Sequence, residues 1–118
     1  MSQHHKIDYV EFPSRDLAAT KRFFHAVFGW TFQDYGPEYC AFDGTTGLHG
    51  GFYQAPLQAS TAQGSALIVF FSEDIVATQA AIEQAGGTIV KAIFEFPGGR
   101  RFHFTEPSGN EFAVWAHP

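Results

Sequence analysis

Phe12-Pro13-Ser14-Arg15-Asp16-Leu17-Ala18-Ala19-Thr20 reads against Phe70-Phe71-Ser72-Glu73-Asp74-Ile75-Val76-Ala77-Thr78. Each matched pair lies 58 residues apart (70 − 12), and the same offset sets Val10 against Ile68, Phe24 against Ile82 and Gly29 against Gly87. That is about half of a 118-residue chain, so the protein is expected to be two copies of one supersecondary unit. Further on the offset becomes 62 (104 − 42): Phe42 meets Phe104, Gly47 meets Gly109 and Phe52 meets Val114. Four residues are thus inserted in the second copy, around Ala92 to Gly99. A duplicated unit has a seam, and ligand sites often form where structural halves meet.

Local patterns name the elements of each copy. Ile7 to Phe12 alternates and predicts a first strand. Asp16 is a good N-cap, Leu17, Thr20, Phe24 and Val27 follow at helical spacing, and Gly29 suits the residue just past the helix. Trp30–Tyr35, Tyr39–Phe42 and Gly47–Gln54 read as strands, separated by turn signals at Gly36-Pro37 and Asp43-Gly44. Residues 55–64, rich in Ala, Gln, Ser and Thr, read as a linker. The second unit repeats the order: a strand over Ala66–Phe71, a helix capped by Asp74 and ended by Gly86-Gly87, then strands over Thr88–Phe96, Arg101–Thr105 and Asn110–Ala116. The expected fold is α+β: one domain of two βαβββ modules related by a pseudo-twofold, module one over about 5–54 and module two over about 65–117.

Composition narrows the function. The apolar share is 45%, including 14 Phe, enough for a real core. No apolar run reaches the roughly 18 residues of a membrane span. With seven Lys and Arg and a net charge of −5, neither nucleic acid nor an anionic membrane is an expected partner. The start lacks a secretory signal pattern and the single Cys40 excludes an internal disulfide, which suits a cytoplasmic setting.

Strand alternation assigns faces. Val10 and Phe12, like Ile68 and Phe70, should lie under the helices, as should Phe52, Phe112 and Val114. Tyr9, Glu11, Leu67, Val69 and Phe71 then point the other way, with His49, Gly51, Tyr53, Glu111, Ala113 and Trp115. If the two sheets close toward each other, these residues line an aromatic-walled cleft for a small molecule. Glu11 is the candidate for binding a cation or acting as a base, against a solvated rim carboxylate. His103, between Phe102 and Phe104, is the candidate acid–base partner, against a satisfied structural histidine. Arg101 could hold an anionic group or simply end a hairpin, and Trp115, Tyr53 and Phe71 could form a stacking platform or a packing surface.

The segments Asp16-Leu17 to Phe23-Phe24, Val27-Phe28-Gly29-Trp30, Phe96-Pro97-Gly98-Gly99-Arg100-Arg101 and Glu106-Pro107-Ser108-Gly109-Asn110-Glu111-Phe112 resemble the vicinal oxygen chelate superfamily. That superfamily contains glyoxalase I, extradiol dioxygenases, fosfomycin-resistance enzymes and bleomycin-binding proteins. The likeness covers essentially the whole chain. It implies a homodimer, which open sheets in small modules also favour. It further implies metal-ligand positions at Tyr9, Gly51, Leu67 and Ala113, where active members carry His, Gln or Glu. Three of these four have no side-chain donor and tyrosine alone is a poor ligand, so no metal or other cofactor is expected, though a divalent ion rebuilt around His49 stays open. Three classes of function follow. The first is a metal-independent binder of a small aromatic or cationic molecule, with Tyr9, Glu11, His49, Tyr53, His103 and Trp115 facing one cavity and Leu67, Val69, Phe71 and Arg101 beside them. The second is a glyoxalase-like lyase, isomerase or dioxygenase-type enzyme with a relocated metal. The third is a non-catalytic structural or regulatory dimer.

Overall fold

The computed structural model describes residues 2–118. The first module comprises β1 (Tyr9–Ser14), α1 (Leu17–Phe28), β2 (Gln33–Asp34), β3 (Tyr39–Phe42) and β4 (His49–Gln54). The second comprises β5 (Val69–Phe71), α2 (Ile75–Gln84), β6 (Thr88–Phe96), β7 (Gly99–Thr105) and β8 (Glu111–Ala116). Each module folds into a mixed four-stranded sheet, β1-β4-β3-β2 and β5-β8-β7-β6. The repeat holds register for register. Phe12 opposite Phe52 is matched by Phe70 opposite Val114, and Phe42 opposite Gly50 by Phe104 opposite Phe112. The extra residues of the second module fall in the β6–β7 hairpin, whose register shifts between Ile89 and Lys91 and again between Lys91 and Phe94.

Both helices start as expected, with Asp16 and Asp74 accepting from the amides of Ala19 and Ala77. Gly29 closes α1 at φ 73, in the left-handed region that favours glycine. Helices and inner sheet faces share one core. Phe24, fully buried, stacks on Trp30 at 4.6 Å and on Phe52 at 5.6 Å, and meets Phe112 edge-on at 5.3 Å. Phe28 stacks on Phe70 at 4.2 Å and Phe12 contacts Phe112 at 5.1 Å, so the rings of one module pack on those of the other. Each such pair adds about 0.5–1.5 kcal/mol beyond area burial.

Several boundaries differ from the sequence reading. The first strand runs two residues later than Ile7–Phe12, because its partner β4 fixes the register from Tyr9–His49 to Ser14–Gln54. Trp30 is not in a strand; its ring is drawn into the core and only Gln33–Asp34 pair with β3. The second module's first strand shortens to Val69–Phe71. The linker contains a 3-10 turn at Thr61–Gln63 that is tied to β8. No helix among the described residues is long and apolar enough to cross a membrane.

Candidate functional site

The face of the first sheet away from the helices carries a tyrosine–tyrosine–carboxylate chain. Tyr39 Oη donates to Glu11 Oε2 at 2.9 Å and lies 2.6 Å from Tyr9 Oη. A carboxylate only accepts, so Tyr39 spends its proton on Glu11 and Tyr9 donates to Tyr39. Burial, then the bonds to Tyr9 and Glu11, push the Tyr39 phenol far above its ordinary range. The ring of Tyr39 lies over Gly51, where a Cβ would collide with Tyr39 Oη. One of the four expected ligand positions is thus a glycine whose side-chain space is filled by a phenol. The sequence reading missed Tyr39; Gly51, a glycine without a side chain on the outer face of the strand next to that of Tyr39, is the signal that could have found it.

The outer face of the second sheet carries an Arg101–His103–Glu111 row. His103 Nδ1 lies 2.7 Å from Glu111 Oε2, and Arg101 Nη2 lies 3.0 Å from His103 Nε2. Guanidinium has no acceptor, so Nε2 must accept and the proton sits on Nδ1, donated to Glu111. Both ring nitrogens of His103 are therefore engaged. Glu111 also accepts from the Thr61 amide at 2.8 Å and from the Thr61 hydroxyl, so the linker turn covers this pair, leaving both residues buried. Burial raises the Glu111 carboxyl, but the Thr61 amide, His103 and the Thr61 hydroxyl outweigh it and hold the group below its ordinary value.

Beyond this row lies an aromatic wall. Trp115 meets Phe71 at 5.0 Å, His117 at 4.9 Å and Phe96 at 6.3 Å. The Arg101 guanidinium lies 5.9 Å from the ring centres of both Phe94 and Phe96. A depression of about 450 Å³ opens here, lined by Val69, Phe96, Arg101, Trp115 and His117. His117, Phe94 and Phe96 belong to this wall and were not singled out from sequence.

The faces assigned by alternation hold, but the single cavity does not form within one chain. Tyr9 and His49 line one depression of about 490 Å³. Glu11 and Tyr53 line a second, of about 380 Å³. Val69, Arg101 and Trp115 line the third, His103 is covered by the Thr61 turn, and half-buried Leu67 lies just before β5 outside these depressions. The physical reason is the shared core: the helix faces of both modules meet each other, so the opposite faces of the two sheets are left as separate surfaces. No group of three or more His, Cys, Asp or Glu that could hold a metal ion occurs among the described residues. Ala113 is fully buried and Tyr9 is bonded to Tyr39, so this donor set does not fit a divalent transition metal.

The family model for the Glyoxalase/Bleomycin resistance protein/Dioxygenase superfamily matches residues 6–114. The chain belongs to that superfamily. Its fold is shared with a glyoxalase/bleomycin resistance protein/dioxygenase family enzyme from Burkholderia phytofirmans PsJN (TM-score 0.76, 18% identity, covering 94% of this chain and 98% of that one). A glyoxalase-related enzyme from Fulvimarina pelagi is similar (TM-score 0.76, 19% identity, 97% and 89% covered), as is a virulence protein from Salmonella typhimurium (TM-score 0.70, 20% identity, 99% and 100% covered). At these identities the likeness is one of fold. No curated protein matches the chain. Within a superfamily whose fold hosts many chemistries, activity has to be argued from this chain's own residues.

Proposed function

We propose that this superfamily member binds a small aromatic or cationic molecule without a metal. The observation that carries the reading is the Trp115–Phe71–Phe96–His117 wall with Arg101 at its edge. Aromatic walls with a few polar groups suit small-molecule sites. The complementary wall is the first sheet's outer face, where Glu11 keeps one carboxylate oxygen outside the bond from Tyr39 and is exposed to solvent. Pairing of two copies, the first sheet of one against the second sheet of the other, would close the cleft that one chain leaves open. Tyr9, His49, Tyr53, Leu67, Val69 and Phe71 would then shape it. Glu11 would neutralise a positive group, and His103, engaged at both nitrogens, would fix Arg101 rather than transfer protons.

The test is a thermal-shift screen of aromatic cations and neutral aromatics on the purified protein, with and without added zinc, nickel and iron. Expected is stabilisation by an aromatic cation that survives chelation. Trp115→Ala should weaken binding about tenfold, equivalent to about 1.4 kcal/mol. Glu11→Gln should weaken cations more than neutral compounds. Elemental analysis finding about one transition metal per chain, with binding lost on chelation, would overturn the reading.

A further inference from the structure

The two halves differ at one point where the repeat says they should agree. In the first module Ser14 O accepts from Ala55 N, so the even residues of β1 carry the ladder to β4 and the carbonyl of Pro13 turns to the free edge. There Asn110 Nδ2 donates to it at 2.6 Å. In the second module Ala113 N donates to Ile68 O and Ser72 N to Trp115 O, so the even residues of β5 carry the ladder to β8. The amide edges of Val69 and Phe71 therefore face the free side of β5, which is an edge strand. Phe71 is the counterpart of Pro13, 58 residues on, and the counterpart of Asn110 is Leu48, 62 residues earlier. Leucine cannot donate, and no other side chain among the described residues is bonded to the Phe71 carbonyl.

In place of the missing amide there is a cavity of about 390 Å³ between the β3–β4 loop and β5. Leu48, Phe12, Trp30, Phe42, Phe70 and Phe112 line it, Val69 and Phe71 form its border with the free edge, and none of its lining side chains is charged. It lies on the core side and shares only Val69 with the outer-face depression at Trp115 and Arg101. An apolar, aromatic-lined space of this size suits a two-ring molecule, and charge would be costly to bury there. Of the free-edge groups of Val69 and Phe71, the Phe71 carbonyl is the one whose counterpart in the first module, Pro13 O, accepts from a side-chain amide.

We propose that this cavity is a second binding site, independent of the outer face, for a neutral planar aromatic molecule bearing an amide N–H. That N–H does at Phe71 what Asn110 does at Pro13.

The chain's two tryptophans make the test selective, since Trp30 lines this cavity and Trp115 the outer depression. The indole N–H signals in a ¹⁵N–¹H spectrum, assigned with Trp30→Phe and Trp115→Phe, are followed on titration with 2-naphthamide and with methyl 2-naphthoate. Naphthamide is expected to shift the Trp30 signal saturably and leave Trp115 in place. The ester has a closely similar shape without the donor, and it should bind about tenfold more weakly, the loss of one hydrogen bond to the Phe71 carbonyl. Leu48→Asn supplies the amide from the chain and should raise Tm while weakening naphthamide about tenfold. Leu48→Phe, which fills the space without an amide, should weaken it as much. A shift confined to Trp115, equal affinity for amide and ester, or wild-type affinity in both Leu48 variants would overturn the proposal.

Discussion

His103 shows how little of a residue's chemistry its strand position decides. Its face was legible, because Phe102 and Phe104 on either side are fully buried. Its partners were not. Arg101 lies two residues away on the same face, but Thr61, which covers Glu111, comes from a linker whose composition only says that it is polar. The buried row predicts a steep cost for breaking it. Glu111→Ala strips the acceptor from His103 and from the Thr61 amide and hydroxyl, and should destabilise the protein by about 3 kcal/mol in urea unfolding. Thr61→Val keeps the amide bond and should cost about 1 kcal/mol. The pH dependence has a definite sign. Because Glu111 titrates lower in the folded than in the unfolded chain, its contribution is present above the ordinary glutamate range and disappears as pH falls through the folded value. Stability curves of wild type and Glu111→Gln should therefore converge on the acid side; a constant gap down to low pH would contradict the assignment.

At the scale of elements, capping and periodicity located both helices, and alternation located the faces of β1, β4, β7 and β8. What sequence could not locate was what tertiary contact decides. Trp30 reads as strand yet is drawn into the core, and Tyr39 reads as an ordinary strand residue yet fills the space above Gly51. The candidate site was accordingly half legible: its faces were, but its gathering into one cavity, and the contributions of Tyr39, Phe96 and His117, depended on how the sheets sit. Gly51 offers a test of this packing. A methyl there would meet both Tyr39 and the Cys40 carbonyl, so Gly51→Ala should force the phenol off Glu11 and cost about 1–3 kcal/mol. Tyr39→Ala removes the main obstacle. In a double-mutant cycle the two changes should be non-additive, with Gly51→Ala costing less once the ring is gone and keeping only the part set by the Cys40 carbonyl. Additive effects would show that Tyr39 does not occupy that space.

At the scale of the molecule, the modules are joined by a buried polar knot as well as by rings. Glu106 accepts from Thr20 Oγ1 at 2.9 Å and the Ser108 amide at 2.9 Å with one oxygen, and from the Asn110 amide and side chain with the other. Ser14 and Thr20 of the first module meet Ser108 of the second at 2.9 and 2.8 Å. Burial pushes the Glu106 carboxyl up and these four donors reduce the rise without cancelling it. Its contribution therefore has the opposite sign from that of Glu111: greatest below the ordinary glutamate value, and lost as pH rises through the raised folded value. Glu106→Ala, which removes the shared acceptor of four donors and leaves the Ser108 and Asn110 amides without one, should cost about 3–5 kcal/mol across the pH range. The same core that unites the modules leaves apolar surface outside it. On the outer side of the second sheet Val69 is 40% exposed, Phe71 49% and Phe94 37%, beside Trp115 and Phe96. An exposed apolar patch of that kind favours a partner surface, and the first sheet's outer face, with Tyr9 44% exposed and Tyr53 36%, offers aromatic area to cover it. Sedimentation at micromolar concentration should accordingly give a dimer, at twice the 13.1 kDa of the chain. Phe71→Glu sets a charge in the patch without touching the core, so it should yield a folded monomer that has lost outer-face ligand binding. Wild type sedimenting as a monomer, or Phe71→Glu remaining dimeric, would remove this surface as the place where two copies meet.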